Sequence, residues 1–183
     1  MFELKINVNG DNHLLVRNTL IPLRKSILKE IDTAPKGTIF YYDFSSIGGI
    51  NTSGVDEIIA KVLNCLITQQ EDKYLILTNL QDDDYEHRFN IDSALERLDV
   101  GVIEQLASGM ANFLGKISST HKELLTVIYR EKNVTARYIA DLEDKKITLI
   151  STHLNKLYSN RLIRRTEEIL SDGGRQYIYT SLF

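Results

Sequence analysis

The 183-residue sequence holds one cysteine, two prolines and no tryptophan. A single thiol, Cys65, excludes an internal disulfide framework and a CxxC zinc or redox site. It sits in the apolar run Val62-Leu63-Asn64-Cys65-Leu66-Ile67 and reads as a core residue. No apolar run approaches the roughly 20 residues needed to cross a bilayer. The opening Met1-Phe2-Glu3-Leu4-Lys5-Ile6 alternates like a strand and lacks the basic-then-apolar order of a signal peptide. These absences predict a cytoplasmic protein that uses no membrane. Motifs of chemistry are missing too. His13, His87, His121 and His153 form no HExxH pattern, no nucleophile elbow is present, and Gly48-Gly49 is too short for a phosphate loop. The acidic run Asp82-Asp83-Asp84, with Glu86 nearby, reads as a solvated loop rather than a metal site. The expectation is therefore no enzyme, no cofactor and no metal.

What is present is an ordinary globular composition, 43% hydrophobic and 26% charged, so a packed core is expected. The net charge of −3 argues against nucleic-acid binding by the chain as a whole. Its distribution argues otherwise. Residues 1–118 carry 11 basic and 17 acidic side chains, whereas residues 119–183 carry 11 and 8. A net of about −6 against about +3 is the asymmetry of an acidic module joined to a basic contact module.

The first 117 residues alternate strand-like and helix-like segments. Phe2 to Val8 and His13 to Val16 read as short strands around the turn Asn9-Gly10-Asp11-Asn12. Leu20, Leu23, Ile27, Leu28 and Ile31 recur at helical spacing over about 19–31. A buried strand over 38–44, a loop over 45–52, a helix marked by Val55, Ile58, Ile59, Val62, Leu63 and Leu66, and a strand over 74–78 follow. A helical stretch closes over 92–98, and one or two strands are expected between Val100 and Phe113. This alternation predicts an α/β layer with helices packed on a sheet.

After about residue 117 the pattern changes to three helices and a hairpin. Ser119 or Thr120 can cap the first helix, with Glu123 at capping-box distance from Thr120 and Leu124, Leu125, Val127 and Ile128 facing inward. A break at Lys132-Asn133 follows. Thr135 can cap the second helix, whose inner face is Ala136, Ile139, Ala140 and Leu142. The third runs from about Thr148 to Tyr158. It buries Ile150, Leu154 and Leu157 and leaves Thr148, Ser151, Thr152, Asn155 and Lys156 in one exposed stripe. No member of that stripe is acidic. Hydroxyl, amide and ammonium groups can bond base edges and phosphate oxygens, which carboxylates would repel. Leu162-Ile163-Arg164-Arg165 and Gln176-Tyr177-Ile178-Tyr179-Thr180 read as strands joined by the turn Ser171-Asp172-Gly173-Gly174, with Arg175 at the tip. A solvated helix face is the plainer reading of the stripe alone.

These pieces in this order, spanning about 65 residues, resemble the winged helix-turn-helix regulators of the broad MarR- and ArsR-like classes. The resemblance implies double-stranded DNA as the partner, with Thr148, Ser151, Thr152, Asn155, Lys156, Arg164 and Arg175 as contacts. Arg161 stands where these families often have glycine, and the lack of further cysteines excludes a thiolate metal sensor. In the first module, Gly37-Thr38-Ile39-Phe40-Tyr41-Tyr42-Asp43-Phe44-Ser45-Ser46-Ile47 and Thr52-Ser53-Gly54-Val55-Asp56-Glu57 resemble STAS-like domains of the anti-sigma-factor-antagonist type. That resemblance covers roughly 40 residues. It makes Ser53 the equivalent of a phosphorylated serine, though Asn51 replaces the family's aspartate. The simpler role for Thr52 or Ser53 is a helix cap. The reading is an α/β STAS-like domain over 1–117 and a winged helix over 118–183, forming a DNA-binding transcriptional regulator that dimerises through the first domain. A protein-docking module, with the winged helix seated on a protein, is the alternative. A small-molecule sensor is a third.

Overall fold

A computed structural model describes residues 2–4, 13–69, 71–80, 85–171 and 173–183. The expected turn at 9–12 and the acidic run at 82–84 lie outside them. The chain is a mixed α+β protein that divides into two compact units, Met1–Ile117 and Ser118–Phe183. Among the described residues no helix is long and apolar enough to cross a membrane.

The first unit is built on a five-stranded sheet in the order β1 (Phe2–Leu4), β3 (Ile39–Asp43), β5 (Tyr74–Thr78), β6 (Gly101–Gln105) and β7 (Ala111–Gly115). The first four strands are parallel and β7 returns antiparallel to β6. Parallel neighbours need long crossovers, and here these are helical. Helix α1 (Arg17–Thr33) precedes β3, a helical stretch over 52–68 precedes β5, and α4 (Tyr85–Arg97) precedes β6. Phe40, Tyr42, Leu75, Leu77, Val102 and Leu114 of the sheet share one core with Leu20, Ile27 and Ile31 of α1 and with Ile91, Ala94 and Leu95 of α4.

Two expectations change here. His13–Leu14 (β2) and Phe2–Leu4 do not pair with each other. β1 joins β3, and β2 pairs in parallel with a two-residue strand, β4 (Gly49–Ile50), inside the stretch expected to be loop. The helix after it is not uniform. It runs as α2 (Thr52–Gly54), a π-helical turn over Val55–Ala60, and α3 (Lys61–Thr68).

The π turn carries a buried charge. Glu57 is 1% exposed, yet its carboxylate takes hydrogen bonds from Arg17 at 2.5 Å, from Arg24 and from Lys61. Burial alone would raise this carboxyl, but the Lys61 and Arg17 hydrogen bonds and the Arg24 charge hold it below its ordinary value. An unpaired buried carboxylate would be far costlier, so the cations of α1 fix the helix against the π turn. On the other side of the sheet order, Glu104 of β6, also 1% exposed, is held by the Arg88 guanidinium at 2.6 Å and by the Asn112 amide at 2.7 Å.

The second unit follows the order α5 (Ser119–Glu131), β8 (Asn133–Thr135), α6 (Ala136–Leu142), α7 (Ile147–Ser159), β9 (Arg164–Ile169) and β10 (Arg175–Thr180). The strands form one antiparallel sheet in the order β8-β10-β9. β8 occupies the segment read from sequence as a break. Lys132 just before it has φ of 67°, which ends α5 and turns the chain into the strand. The cap of α5 is Ser118, whose hydroxyl accepts from the His121 amide, rather than Ser119 or Thr120. With Ser118 as the cap, Thr120 and Glu123 are not in capping-box positions. Thr135 does cap α6, accepting from the Tyr138 amide at 3.1 Å. Leu124, Leu125, Val127 and Ile128 are buried, as are Ile139, Ala140, Ile150, Leu154 and Leu157. Leu142 is half exposed, against expectation. α6 spans only two turns, and Leu142 is its last residue, past the contact made by Ile139 and Ala140.

Candidate nucleic-acid interface

The exposed face of α7 and the β9–β10 hairpin enclose a groove of about 380 Å3. Its lining includes Ser151 and Asn155 from α7, Arg175 and Tyr177 from the hairpin, and Arg137 from α6. The α7 stripe exists because Ile150, Leu154 and Leu157 anchor the opposite face in the core. Thr148, Thr152, Asn155 and Lys156 are exposed and Ser151 is half-buried. The Thr152 hydroxyl turns back to the Thr148 carbonyl at 2.9 Å, so it is partly spent within the helix. Of the residues expected to touch DNA, the structure gathers Ser151, Asn155 and Arg175 around the groove. Thr148, Thr152 and Lys156 stand on the same helix but outside that lining.

Asn155 is the most constrained member. Its Oδ1 accepts from Arg165 Nη1 at 2.8 Å and from the Tyr179 hydroxyl at 3.0 Å. Burial raises the Tyr179 phenol above its ordinary value. Arg165 lies over two rings, 4.2 Å from the centroid of Tyr158 and 4.3 Å from that of Tyr177. Those cation–π contacts and the Asn155 bond hold a guanidinium, ordinarily a flexible group, in one place.

Arg164, also expected to contact DNA, lies outside that lining, and the alternation of a strand sends it to the opposite side from Arg165. Its Nη2 donates to the Ser181 carbonyl at 3.3 Å, and its Nε is buried without a hydrogen-bond partner. Arg165 was passed over, together with Tyr158, Tyr177 and Arg137. The Arg164-Arg165 pair was visible in sequence, but its facing could be read only once the register of β9 against β10 was known. Arg175 is exposed and pairs with Glu167 at 3.3 Å, which leaves a screened ion pair at the hairpin tip.

Arg161, where the resembled families often carry glycine, has φ of 61° and is buried, its guanidinium 5.5 Å from the Tyr158 ring. The turn needs the left-handed conformation whichever residue supplies it, and ring contact supports the arginine there. The stripe on α7 is also less polar than the sequence spacing implied. Ile147 and Leu149 are exposed on α7, as are Tyr138 and Leu142 on α6. His153 Nδ1 of α7 and His121 Nε2 of α5 stand 3.2 Å apart in a T-shaped contact.

In the first unit, Ser53 is half-buried, but neither Ser53 nor Thr52 caps the helix. Asn51 does, its Oδ1 accepting from the Gly54 amide at 3.0 Å while its Nδ2 donates to the Leu15 carbonyl at 3.0 Å. Gly54 is fixed by close approach, since a Cβ there would stand 2.0 Å from the Leu14 carbonyl oxygen. Among the described residues, no three His, Cys, Asp or Glu side chains gather closely enough to hold a metal ion. No protein-family model and no curated protein matches the chain.

Proposed function

We propose that the chain is a DNA-binding transcriptional regulator whose Ser118–Phe183 unit works as a winged helix. The observation that carries the reading is the acid-free exposed stripe of α7 beside a hairpin that presents Arg175, with Arg165 and Arg137 near the same groove. α7 enters the major groove, and the β9–β10 hairpin touches the adjacent backbone or minor groove. The first unit is a STAS-like module that joins two copies, because one winged helix reads too few base pairs to select a site in a genome. Asn51 in place of the family's aspartate, and its use as the cap, favour a structural turn over a phosphorylation switch at Ser53. The cytoplasm is the expected compartment.

The test is binding of the full-length protein to a mixed duplex pool across a salt series. Affinity falls as salt rises, with a slope of about −0.9 per phosphate contact, because each contact releases condensed counterions. No retention of any duplex at about 50 mM salt, where electrostatic binding is strong, overturns the reading. One observation favours a second reading, a protein-docking surface. Tyr138, Leu142, Ile147 and Leu149 expose apolar area that DNA phosphates do not use. Failure of DNA binding would leave that reading in place.

A further inference from the structure

The bonding of Asn155 bears on which base the groove would accept, an inference that rests on the DNA-binding reading. Arginine has no acceptor, so the Asn155 atom 2.8 Å from Arg165 Nη1 is the carbonyl oxygen and not the amide nitrogen. A carbonyl oxygen has two lone pairs, and Tyr179 takes the second. The acceptor of this exposed side chain is therefore used up inside the protein, and the Nδ2 donors are what it has left to offer. An asparagine reads adenine by accepting from N6 while donating to N7. Asn155 cannot do the first without releasing Arg165 or Tyr179. Guanine presents two acceptors, O6 and N7, on the same edge. The guanidinium beside it also offers only donors. Its two neighbours, Asn155 and the Tyr179 hydroxyl, occupy at most two of five N–H groups.

We propose that Asn155, oriented by Arg165 and Tyr179, is a donor-only reader that selects guanine over adenine in the site bound by α7. The shared chemistry of its target is an acceptor edge, which a phosphate oxygen also supplies. The two sources differ in sequence dependence.

The informative variant is Asn155→Asp. It keeps an oxygen for Arg165 and Tyr179 and replaces the outward donor with an acceptor. Selection of bound sequences from a randomised duplex pool, run with the full-length wild type and this variant, reads the result. The wild type enriches a site with a guanine position. Asn155→Asp loses preference there by roughly 5- to 150-fold, the range for one good side chain–base pairing, and drifts toward cytosine, whose N4 donates. Circular dichroism confirms the fold first. Arg165→Lys, which keeps the charge but loses the planar fork, relaxes the same position and serves if the first variant misfolds. An adenine at the affected position, or a site unchanged in both variants, refutes the inference and leaves DNA binding standing. A uniform loss on every sequence assigns Asn155 to phosphate and refutes it too. If the wild type retains no duplex at low salt, the DNA-binding reading falls, and this inference with it.

Discussion

Replacing Asn51 separates a structural turn from a regulatory one in the first unit. The side chain makes two bonds. Oδ1 caps the helix at the Gly54 amide, and Nδ2 ties the start of that helix to the Leu15 carbonyl, beside β2. Loss of an asparagine cap costs about 1 kcal/mol. Loss of the second hydrogen bond adds about 1 kcal/mol, less where water replaces the partner. Asn51 is exposed, so Asn51→Ala should destabilise the first unit by about 1–2 kcal/mol in total. With a urea slope of about 2 kcal/mol/M, the midpoint moves down by roughly 0.5–1 M. Ser53→Ala should cost less than about 0.5 kcal/mol and so move the midpoint by less than about 0.25 M, since the Ser53 hydroxyl makes no cap bond. Urea unfolding followed by far-ultraviolet circular dichroism measures both. A Ser53→Ala midpoint that falls as far as that of Asn51→Ala would refute the assignment of the cap. So would an Asn51→Ala protein as stable as the wild type.

Gly54→Ala should be the more damaging change, at about 3 kcal/mol or more, because its Cβ meets the Leu14 carbonyl oxygen, a backbone atom that cannot turn away, as well as the Ile50 side chain; thermal melting that shows less than about 1 kcal/mol would mean β2 moves freely. The His121 imidazole is held below its ordinary value by burial and by the His153 and Lys156 charges. The unfolded chain then binds this proton first, and stability is lost as pH falls below about 6.5. His121→Gln should flatten the fall in melting temperature between pH 7.5 and 5.5, and an unchanged slope would assign the fall to other groups. Lys156→Ala should weaken specific and random duplexes about equally and make the salt slope shallower by roughly one. Loss of specific binding alone would place Lys156 on a base.

The parts of the fold that sequence made legible are those where one pattern had no competitor. The strand over 74–78 was visible as a short apolar run of the kind a strand buried on both faces shows, and the helix around Leu20, Ile27 and Ile31 because apolar residues at period 3.6 admit one facing. The π turn and the two-residue strands were not, since each is decided by tertiary partners. Glu57 leaves the α-helical register to meet cations on α1, and β2 forms because β4 lies opposite it. Caps fell between. Thr135 was readable, but Ser118 was missed in favour of its neighbours Ser119 and Thr120, where three hydroxyls in a row leave the choice to the chain's entry angle.

The candidate interface follows the same division. A sequence shows which residues can donate and accept, and the helical period shows that Asn155 faces outward. It does not show that two donors from another part of the unit have already taken the Asn155 oxygen. Nor can it say which of Arg164 and Arg165 meets Asn155, because a strand alternates and its phase is set by the partner strand. Once that phase is known, Arg165 falls beside Tyr158 and Tyr177 and Arg164 falls beside Ser181. The result is a site whose chemistry differs from the one its residue types imply. An asparagine that could read adenine in isolation becomes a donor-only group when an arginine occupies its acceptor. If α7 enters DNA as proposed, the specificity of the groove is a property of a contact between α7 and the hairpin, and changing β9 should alter it without changing α7 itself.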